Sequence, residues 1–123
     1  MNTSISVLVV DDSPTIGAIV SNFLRKLGFT DVDLAQDGQS ALDRLRQKQY
    51  GLVLSDWEMQ PMSGEQFLKT LRQDSNFSKI PVLLITGKSS RGVSWLAGAS
   101  AYLAKPFSEG DFEIAINMAL RKF

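Results

Sequence analysis

Apolar residues follow two alternating patterns along the chain. Short continuous runs rich in Val, Ile and Leu predict strands that are buried on both faces. Between these runs, apolar residues recur at steps of three or four, which predicts amphipathic helices. The predicted strands cover residues 5–10, 32–35, 51–55, 80–85 and 101–104.

The same spacing, together with local start and stop signals, predicts the helices. Ser13 followed by Pro14 is typical of a helix cap and first helical position, and Gly28 is typical of a helix end. A first helix is therefore expected between them, and further helices around residues 41–45, 65–73 and 112–121. The Gly- and Ser-rich segment after residue 86 predicts a loop with only a short, weak helix at 93–97.

Five alternations of strand and helix predict an α/β fold. We expect a five-stranded parallel sheet with right-handed crossovers and helices on both faces. Ligands of such sheets bind beyond the carboxyl ends of the strands, where the strand order reverses. The polar residues expected at that edge are Asp11, Asp12, Asp56, Thr86 and Lys105.

Length and composition narrow the class of protein. The 123 residues fit a single domain spanning 1–123, and 13 basic against 13 acidic residues leave no net charge to attract nucleic acid. No apolar run approaches the roughly 20 residues of a membrane span, and the first residues lack a signal-peptide pattern. We therefore expect a cytoplasmic protein with no membrane or nucleic-acid partner.

The absence of Cys and His excludes further chemistry. Thiolate nucleophiles, disulfides and histidine-based zinc or copper sites are ruled out. Any metal should be a hard cation bound by oxygen. The three carboxylates expected at the sheet edge would repel one another, and Mg²⁺ would hold them ionised.

Each edge residue also has an ordinary explanation when taken alone. Acids favour a helix start, turns favour Asp, and a lysine before proline is usually solvated. The combination is more specific, because Lys105 adds a positive charge and Thr86 a hydroxyl donor beside the acids. Such a set predicts phosphoryl transfer, in which the Asp56 carboxylate can act as the nucleophile.

The segments that carry these residues resemble the CheY-like receiver domains of two-component response regulators. The matching stretches are VLVVDDSPT, LVLSDWEM, LLITGK and AYLAKPF, in the family's order and at its strand ends. The resemblance covers nearly the whole chain. It implies a flavodoxin-like three-layer sandwich with strand order 2-1-3-4-5, in which the first and third strands are adjacent.

The resemblance also implies roles in phosphorylation. Asp56 corresponds to the residue that accepts a phosphoryl group from a histidine kinase or a phosphotransfer protein. Asp12 corresponds to a direct Mg²⁺ ligand, and Asp11 to an acid that holds the metal through water. The backbone carbonyl of Glu58 corresponds to the remaining protein ligand. Such a protein catalyses its own phosphorylation and slow dephosphorylation, and is not a conventional enzyme.

Two further roles concern the response to phosphorylation. Lys105 corresponds to the lysine that contacts the phosphoryl group, and a cis bond to Pro106 is expected. Thr86 corresponds to the switch hydroxyl, and Tyr102 to the aromatic residue that turns inward when Thr86 moves. The family's usual docking surface is formed by the fourth helix, the fifth strand and the final helix, and a downstream effector protein is expected there.

The sequence departs from the family pattern in three places. Many members have proline four residues after the phosphoacceptor, whereas Gln60 stands there in this chain and Pro61 follows. Gly87 follows Thr86, where Ala is most common. The chain from Thr86 to Lys105 is roughly one helical turn shorter than usual, which predicts a short or irregular fourth helix.

The resemblance implies that two further side chains flank the approach of water to the phosphoryl group. Glu58 lies two residues beyond Asp56, and Lys88 lies two residues beyond Thr86. Because their charges are opposite, we hypothesise that they pair across the mouth of the site and slow dephosphorylation. Exposed pairs of this kind are weak, and the competing interpretation is two independently solvated side chains.

The apolar residues of the final helix form a wider arc than burial of one face requires. The expected inner stripe consists of Phe112, Ala115, Ile116 and Ala119. Ile114 and Met118 lie off that stripe, so they are either more deeply buried or part of a partner surface. We favour docking of an effector near Ile114, Met118, Tyr102 and Trp95.

Two other classes of protein remain open at this point. A phosphohydrolase of the haloacid-dehalogenase type would use Asp11 as its nucleophile, but would need a second Asp where Ser13 stands. A receiver that is never phosphorylated would act only as a binding module, although its five polar positions are all filled here. The cognate kinase, the pathway and the oligomeric state are not encoded in any motif.

Overall fold

The structure is a computed structural model that describes residues 1–87 and 98–121. Strands and helices alternate along these residues. The strands are β1 (Val7–Val10), β2 (Val32–Ala35), β3 (Leu52–Asp56), β4 (Val82–Thr86) and β5 (Ala101–Ala104). The helices are α1 (Pro14–Lys26), α2 (Gly38–Gln47), α3 (Gly64–Gln73) and a final helix (Glu109–Leu120). The short helix predicted at 93–97 lies outside the described residues.

The five strands form one parallel sheet in the order β2-β1-β3-β4-β5, as predicted. β1 pairs with β2 on one side and with β3 on the other, and Val10 lies opposite Ser55 in the β1–β3 register. This register brings the residues after β1 next to the last residue of β3. The two acidic segments of the sequence therefore meet at the carboxyl edge of the sheet.

Apolar side chains pack on both faces of the sheet, which makes the three-layer sandwich that the sequence predicted. One core lies between the sheet and helices α2 and α3, and includes Leu8, Leu42, Val53, Phe67 and Leu84. The other core lies between the opposite face of the sheet and two helices, α1 and the final helix. It includes Val9, Leu24, Leu54, Ile85 and Phe112. Within the described part of the chain, no helix has the length and apolar character to cross a membrane.

Side-chain caps fix most of the helix starts. Ser13 accepts a hydrogen bond from the Ile16 amide at the start of α1, and Gly28, with φ of 107°, follows its end. The final helix begins at Glu109, three residues before the predicted start. Ser108 and Asp111 form a reciprocal capping box there, and this polar signal extends the helix beyond its apolar stripe.

The strand bounds also differ slightly from the prediction. β1, β3 and β4 begin later than expected, and β3 and β4 each extend one residue further, to Asp56 and Thr86. The sheet hydrogen bonds continue past these residues, since the Trp57 amide donates to Ile85 at 2.9 Å and the Lys105 amide donates to Thr86 at 2.7 Å. Asp56 and Thr86 are therefore held by the sheet itself and not by loops.

Candidate phosphorylation site

Three carboxylates converge at the carboxyl edge of the sheet. Asp11 and Asp12 follow β1, and Asp56 ends β3. One carboxylate oxygen from each lies within 4.8 Å of the others. Asp11 and Asp56 are 7% and 6% exposed, whereas Asp12 faces solvent. The cluster therefore has a buried floor and one open side.

Burial makes ionisation of the floor unfavourable. Desolvation raises the pKa of Asp56, and although Lys105 and the Glu58 amide act in the opposite direction, they do not cancel it. Desolvation also raises the pKa of Asp11, with a smaller contribution from the neighbouring Asp56 charge. The protein thus gathers negative charge at this edge without supplying enough positive charge to balance it.

Lys105 reaches the cluster from the end of β5. Its Nζ lies 3.2 Å from Oδ1 of Asp56, and the peptide bond to Pro106 is cis, as the resemblance implied. The following residue, Phe107, packs against the rings of Phe23 in α1 and Phe112 in the final helix, with centroids 6.0 and 5.9 Å away. These ring contacts anchor the loop that carries Lys105.

Thr86 lies at the same edge, at the end of β4. Its side chain is fully buried, and among the described residues its hydroxyl has no hydrogen-bond partner. An unpaired buried hydroxyl is unfavourable unless a ligand satisfies it. Tyr102 is half-buried on the neighbouring β5, where it pairs in register with Leu84, two residues before Thr86. It packs against the core on the α2–α3 side.

The loop between β3 and α3 closes over the acidic cluster. The Glu58 amide donates to Oδ1 of Asp56 at 3.4 Å, and the Gln60 amide donates to Oδ2 of Asp12 at 3.2 Å. Gly64 ends the loop by donating to the Trp57 carbonyl at 2.8 Å. A Cβ on Gly64 would overlap the Asp56 carbonyl oxygen and the Trp57 backbone, so only glycine fits there.

The predicted partners at the mouth of the site can be placed only in part. The exposed Glu58 side chain lies beside Gly87, where an added Cβ would come within 3.2 Å of its Oε1. Lys88, the proposed partner of Glu58, lies outside the described residues, as does Trp95. Their pairing and docking roles therefore stay predictions.

Mg²⁺ fits the donors at this edge. The carboxylates of Asp11, Asp12 and Asp56 are hard oxygen ligands close together, and one side of the cluster is open for water or a phosphate oxygen. A divalent cation would offset the negative charge that these crowded carboxylates share. The ligand role of the Glu58 carbonyl remains an expectation from the resemblance.

The final helix presents apolar side chains away from the core. Its inner stripe is buried as predicted, whereas Ile114 is 62% exposed and Met118 is 47% exposed. Of the two explanations for the wide apolar arc, deeper burial is therefore wrong. The exposed pair remains available for a partner surface.

Comparisons with known proteins agree with this geometry. Residues 7–117 match the family described as response regulator receiver domain. Chemotaxis protein CheY-3 of Vibrio cholerae is 38% identical over 111 residues, covering 88% of this chain and 85% of that protein. The structure of chemotaxis response regulator CheY4 of Vibrio cholerae superposes with a TM-score of 0.85 at 30% identity, covering 96% of this chain and 100% of that one.

A further similar structure contains a metal. The receiver domain of a sensor histidine kinase from Pseudomonas aeruginosa, with a magnesium ion coordinated in its active site cleft, has a TM-score of 0.86 at 25% identity. The match covers 96% of this chain and 98% of that one.

Proposed function

The chain belongs to the response regulator receiver domain family, and from that premise we propose that residues 1–123 act as one cytoplasmic phosphoacceptor domain. Asp56 would receive a phosphoryl group from a histidine kinase or phosphotransfer protein in a Mg²⁺-dependent reaction. One observation carries this proposal: the buried Asp56, with raised pKa, faces Lys105 at 3.2 Å inside an acidic cluster.

The chemistry proposed for Asp56 is a direct displacement. Its hydrogen bonds from Lys105 and the Glu58 amide both fall on Oδ1, so Oδ2 is the oxygen that attacks phosphorus. The phosphate donor is the phosphohistidine of the kinase or phosphotransfer protein. A bond forms between Oδ2 and phosphorus as the N–P bond of the phosphohistidine breaks, and the electron pair stays on the imidazole nitrogen, which takes up a proton. Asp11, Asp12, Asp56 and the Glu58 carbonyl would hold Mg²⁺, which offsets charge on the phosphoryl oxygens.

Lys105 and Thr86 would recognise the product. The Lys105 ammonium already lies at the acceptor carboxylate and would move to a phosphoryl oxygen. The Thr86 hydroxyl, buried and without a partner in the described structure, would donate to another. Because that contact exists only in the phosphorylated state, it favours a second arrangement of Thr86 and Tyr102. Phosphorylation would thereby alter the surface near β5.

That surface is where we propose an effector protein docks. Ile114 and Met118 are exposed on the final helix, and Tyr102 and Trp95 are expected beside them. Chemical-shift mapping with a partner should perturb the Ile114 and Met118 methyl groups. If those methyl signals stay unchanged while the partner binds, docking occurs elsewhere.

We also propose that Glu58 and Lys88 modulate dephosphorylation by pairing at the mouth of the site. An exposed pair contributes about 0–1 kcal/mol, so the expected effect on lifetime is modest. Lys88→Ala should shorten the lifetime of the aspartyl phosphate. An unchanged lifetime would dismiss the pairing and leave the phosphoacceptor role intact.

Phosphorylation itself can be tested directly. Incubation with acetyl phosphate and Mg²⁺ should add one phosphoryl group, measured by intact mass, and the gain should vanish in Asp56→Asn. Mg²⁺ or beryllofluoride should also change the fluorescence of Trp57, which adjoins the acceptor. If Mg²⁺ binds but neither acetyl phosphate nor a panel of histidine kinases modifies the protein, the chain is a binding module without phosphorylation.

A further inference from the structure

The displaced proline gives the β3–α3 loop a hydrogen bond that the common family pattern lacks. Proline has no amide hydrogen, so a chain with proline four residues after the acceptor cannot donate from that position. Here Gln60 occupies it, and its backbone amide donates to Oδ2 of Asp12 at 3.2 Å. Pro61 follows one residue later.

Each of the three acids in the cluster accepts one hydrogen bond from a backbone amide. Only one of these hydrogen bonds joins residues that are far apart in the sequence. Asp11 accepts a hydrogen bond from the amide of Ser13 at 2.8 Å, and Asp56 accepts one from the amide of Glu58. In both pairs the donor lies only two residues after the acceptor in the chain. The bond from Gln60 instead joins the loop after β3 to the loop after β1, across 48 residues of sequence. It therefore connects the two halves of the acidic cluster.

The rest of the loop holds this amide in place. Met59 is buried at 3% exposure. Met62 packs against Gly38 at the start of α2, where a Cβ would come within 3.1 Å of the Met62 Cγ. The Ser63–Gln66 capping box then fixes the start of α3. Anchors on both sides of Gln60 limit the positions its amide can take.

We propose that Gln60 is a positioning residue for the metal ligand Asp12. Its amide engages Oδ2 of Asp12 and so restrains that carboxylate, and it holds the loop that carries the Glu58 carbonyl against the β1 side. This inference rests on the proposed Mg²⁺-dependent function. Hydrogen bonds that orient a ligating carboxylate typically change metal affinity about 10–100-fold when lost.

The test compares two substitutions at one position. Gln60→Pro removes the amide hydrogen and restores proline to the common family position, whereas Gln60→Ala keeps the hydrogen and removes only the side chain. Calorimetric titration with MgCl₂ alone should give Gln60→Ala the wild-type affinity, and Gln60→Pro an affinity weaker by about 10-fold or more. The thermal unfolding midpoint of each variant shows whether it is folded.

A second measurement does not depend on Gln60→Pro folding well. The amide proton of Gln60 should resonate further upfield in Asp12→Ala, which lacks its acceptor, than in the wild-type protein. In the wild-type protein, the same resonance should shift when MgCl₂ is added. The Glu58 amide, bonded to Asp56, serves as the internal reference in the Asp12→Ala spectrum.

The outcomes separate this inference from the proposed function. If the wild-type protein does not bind Mg²⁺, the metal-dependent function and the role of Gln60 both fail. If wild type, Gln60→Ala and folded Gln60→Pro bind Mg²⁺ equally, the role of Gln60 alone is overturned. If Gln60→Pro is unfolded, the Gln60 amide resonance decides the question. An unchanged resonance in Asp12→Ala overturns the role of Gln60, and an upfield shift supports it.

Discussion

At the amino edge of the sheet, Asp31 and Asp33 share the Lys48 ammonium at 2.9 Å each, and hydroxyls of Ser6 and Tyr50 donate to Asp31 and Asp33 respectively. The Ser6 hydroxyl and then Lys48 lower the pKa of Asp31. The Tyr50 hydroxyl does the same for the pKa of Asp33, whose own burial opposes it. We call these five residues the amino-edge network.

At the carboxyl edge the three acids share a single positive charge within the described structure. Asp11, Asp12 and Asp56 have one ammonium among them within the described structure, and it lies 3.2 Å from Asp56. The pKa values of the two buried acids are raised, mainly by desolvation. The contrast shows that this fold pairs clustered carboxylates at its amino edge and leaves those at its carboxyl edge short of positive charge. An unbalanced cluster is typical of a site that awaits a charged ligand.

Stabilisation by metal should differ most between the two edges. A ligand at 100 times its dissociation constant stabilises the native state by about 2.7 kcal/mol. We expect saturating MgCl₂ to raise the urea midpoint of the wild-type protein accordingly. Asp12→Ala should lose most of this gain, and Tyr50→Phe, in the amino-edge network, should keep it. Ionic strength is matched with NaCl, and an equal shift in all three proteins would mean nonspecific salt stabilisation.

The next effect concerns the amino-edge network. Tyr50→Phe removes the hydroxyl that donates to Asp33 while leaving the buried ring in place. Losing one hydrogen bond to a charged group should lower the free energy of unfolding by about 1–2 kcal/mol. Urea unfolding measures this change. Asp43→Asn is the matched control, because its carboxylate on α2 is 57% exposed, and a similar loss there would refute a special role for the network.

Sequence patterns alone could predict one edge and not the other. The residues of the carboxyl edge each follow a buried strand, and a parallel sheet brings such positions together, so Asp11, Asp56 and Lys105 were predictable as neighbours. The amino-edge network has no comparable signal. Lys48 and Tyr50 lie in the turn before β3, and their contacts with Asp33 depend on the side-by-side placement of β2 and α2.

The same limit applies to loops and caps. The displaced Pro61 was visible in the sequence, but not that the Gln60 amide would meet Asp12, because that contact depends on how the loop folds back. The final helix began earlier than its apolar stripe, since the Ser108–Asp111 box is polar and the prediction followed apolar spacing. Strand order and core faces were predictable because burial enforces them over many residues.

A smaller effect should have the opposite sign at the two edges. Asp56→Asn removes a carboxylate whose ionised form is disfavoured by burial, so it should raise the free energy of unfolding at neutral pH. Asp33→Asn should instead lower it, because that carboxylate is stabilised by its partners. Urea midpoints at pH 7 without divalent cations test both. A loss in Asp56→Asn would mean that its Lys105 pair outweighs its burial.

The pH dependence of these two changes should also differ. A carboxyl with a raised folded-state pKa adds stability only when protonated, and that contribution is lost as pH rises through the folded pKa. The gain from Asp56→Asn should therefore shrink as pH falls toward 3.8, the ordinary value for Asp. The pKa of Asp33 is lowered instead. The loss of unfolding free energy in Asp33→Asn should therefore persist as the pH falls to about 3.8 and disappear only below it. Parallel curves would contradict the assignment of opposite environments.

The smallest effect is expected at the exposed pair of Lys26 and Glu109, which joins α1 to the final helix. Its atoms are 2.8 Å apart, closer than those of Lys105 and Asp56, but the side chains are 57% and 60% exposed. Water and salt screen such a pair, so a double-mutant cycle with alanine at both positions should give a coupling of at most about 0.5 kcal/mol. The cycle cancels the effect of each charge on its own helix end. A coupling as large as the Tyr50→Phe loss would show that distance alone sets the strength of these pairs. A small one would show that shared hydrogen bonds, and not distance, distinguish the amino-edge network.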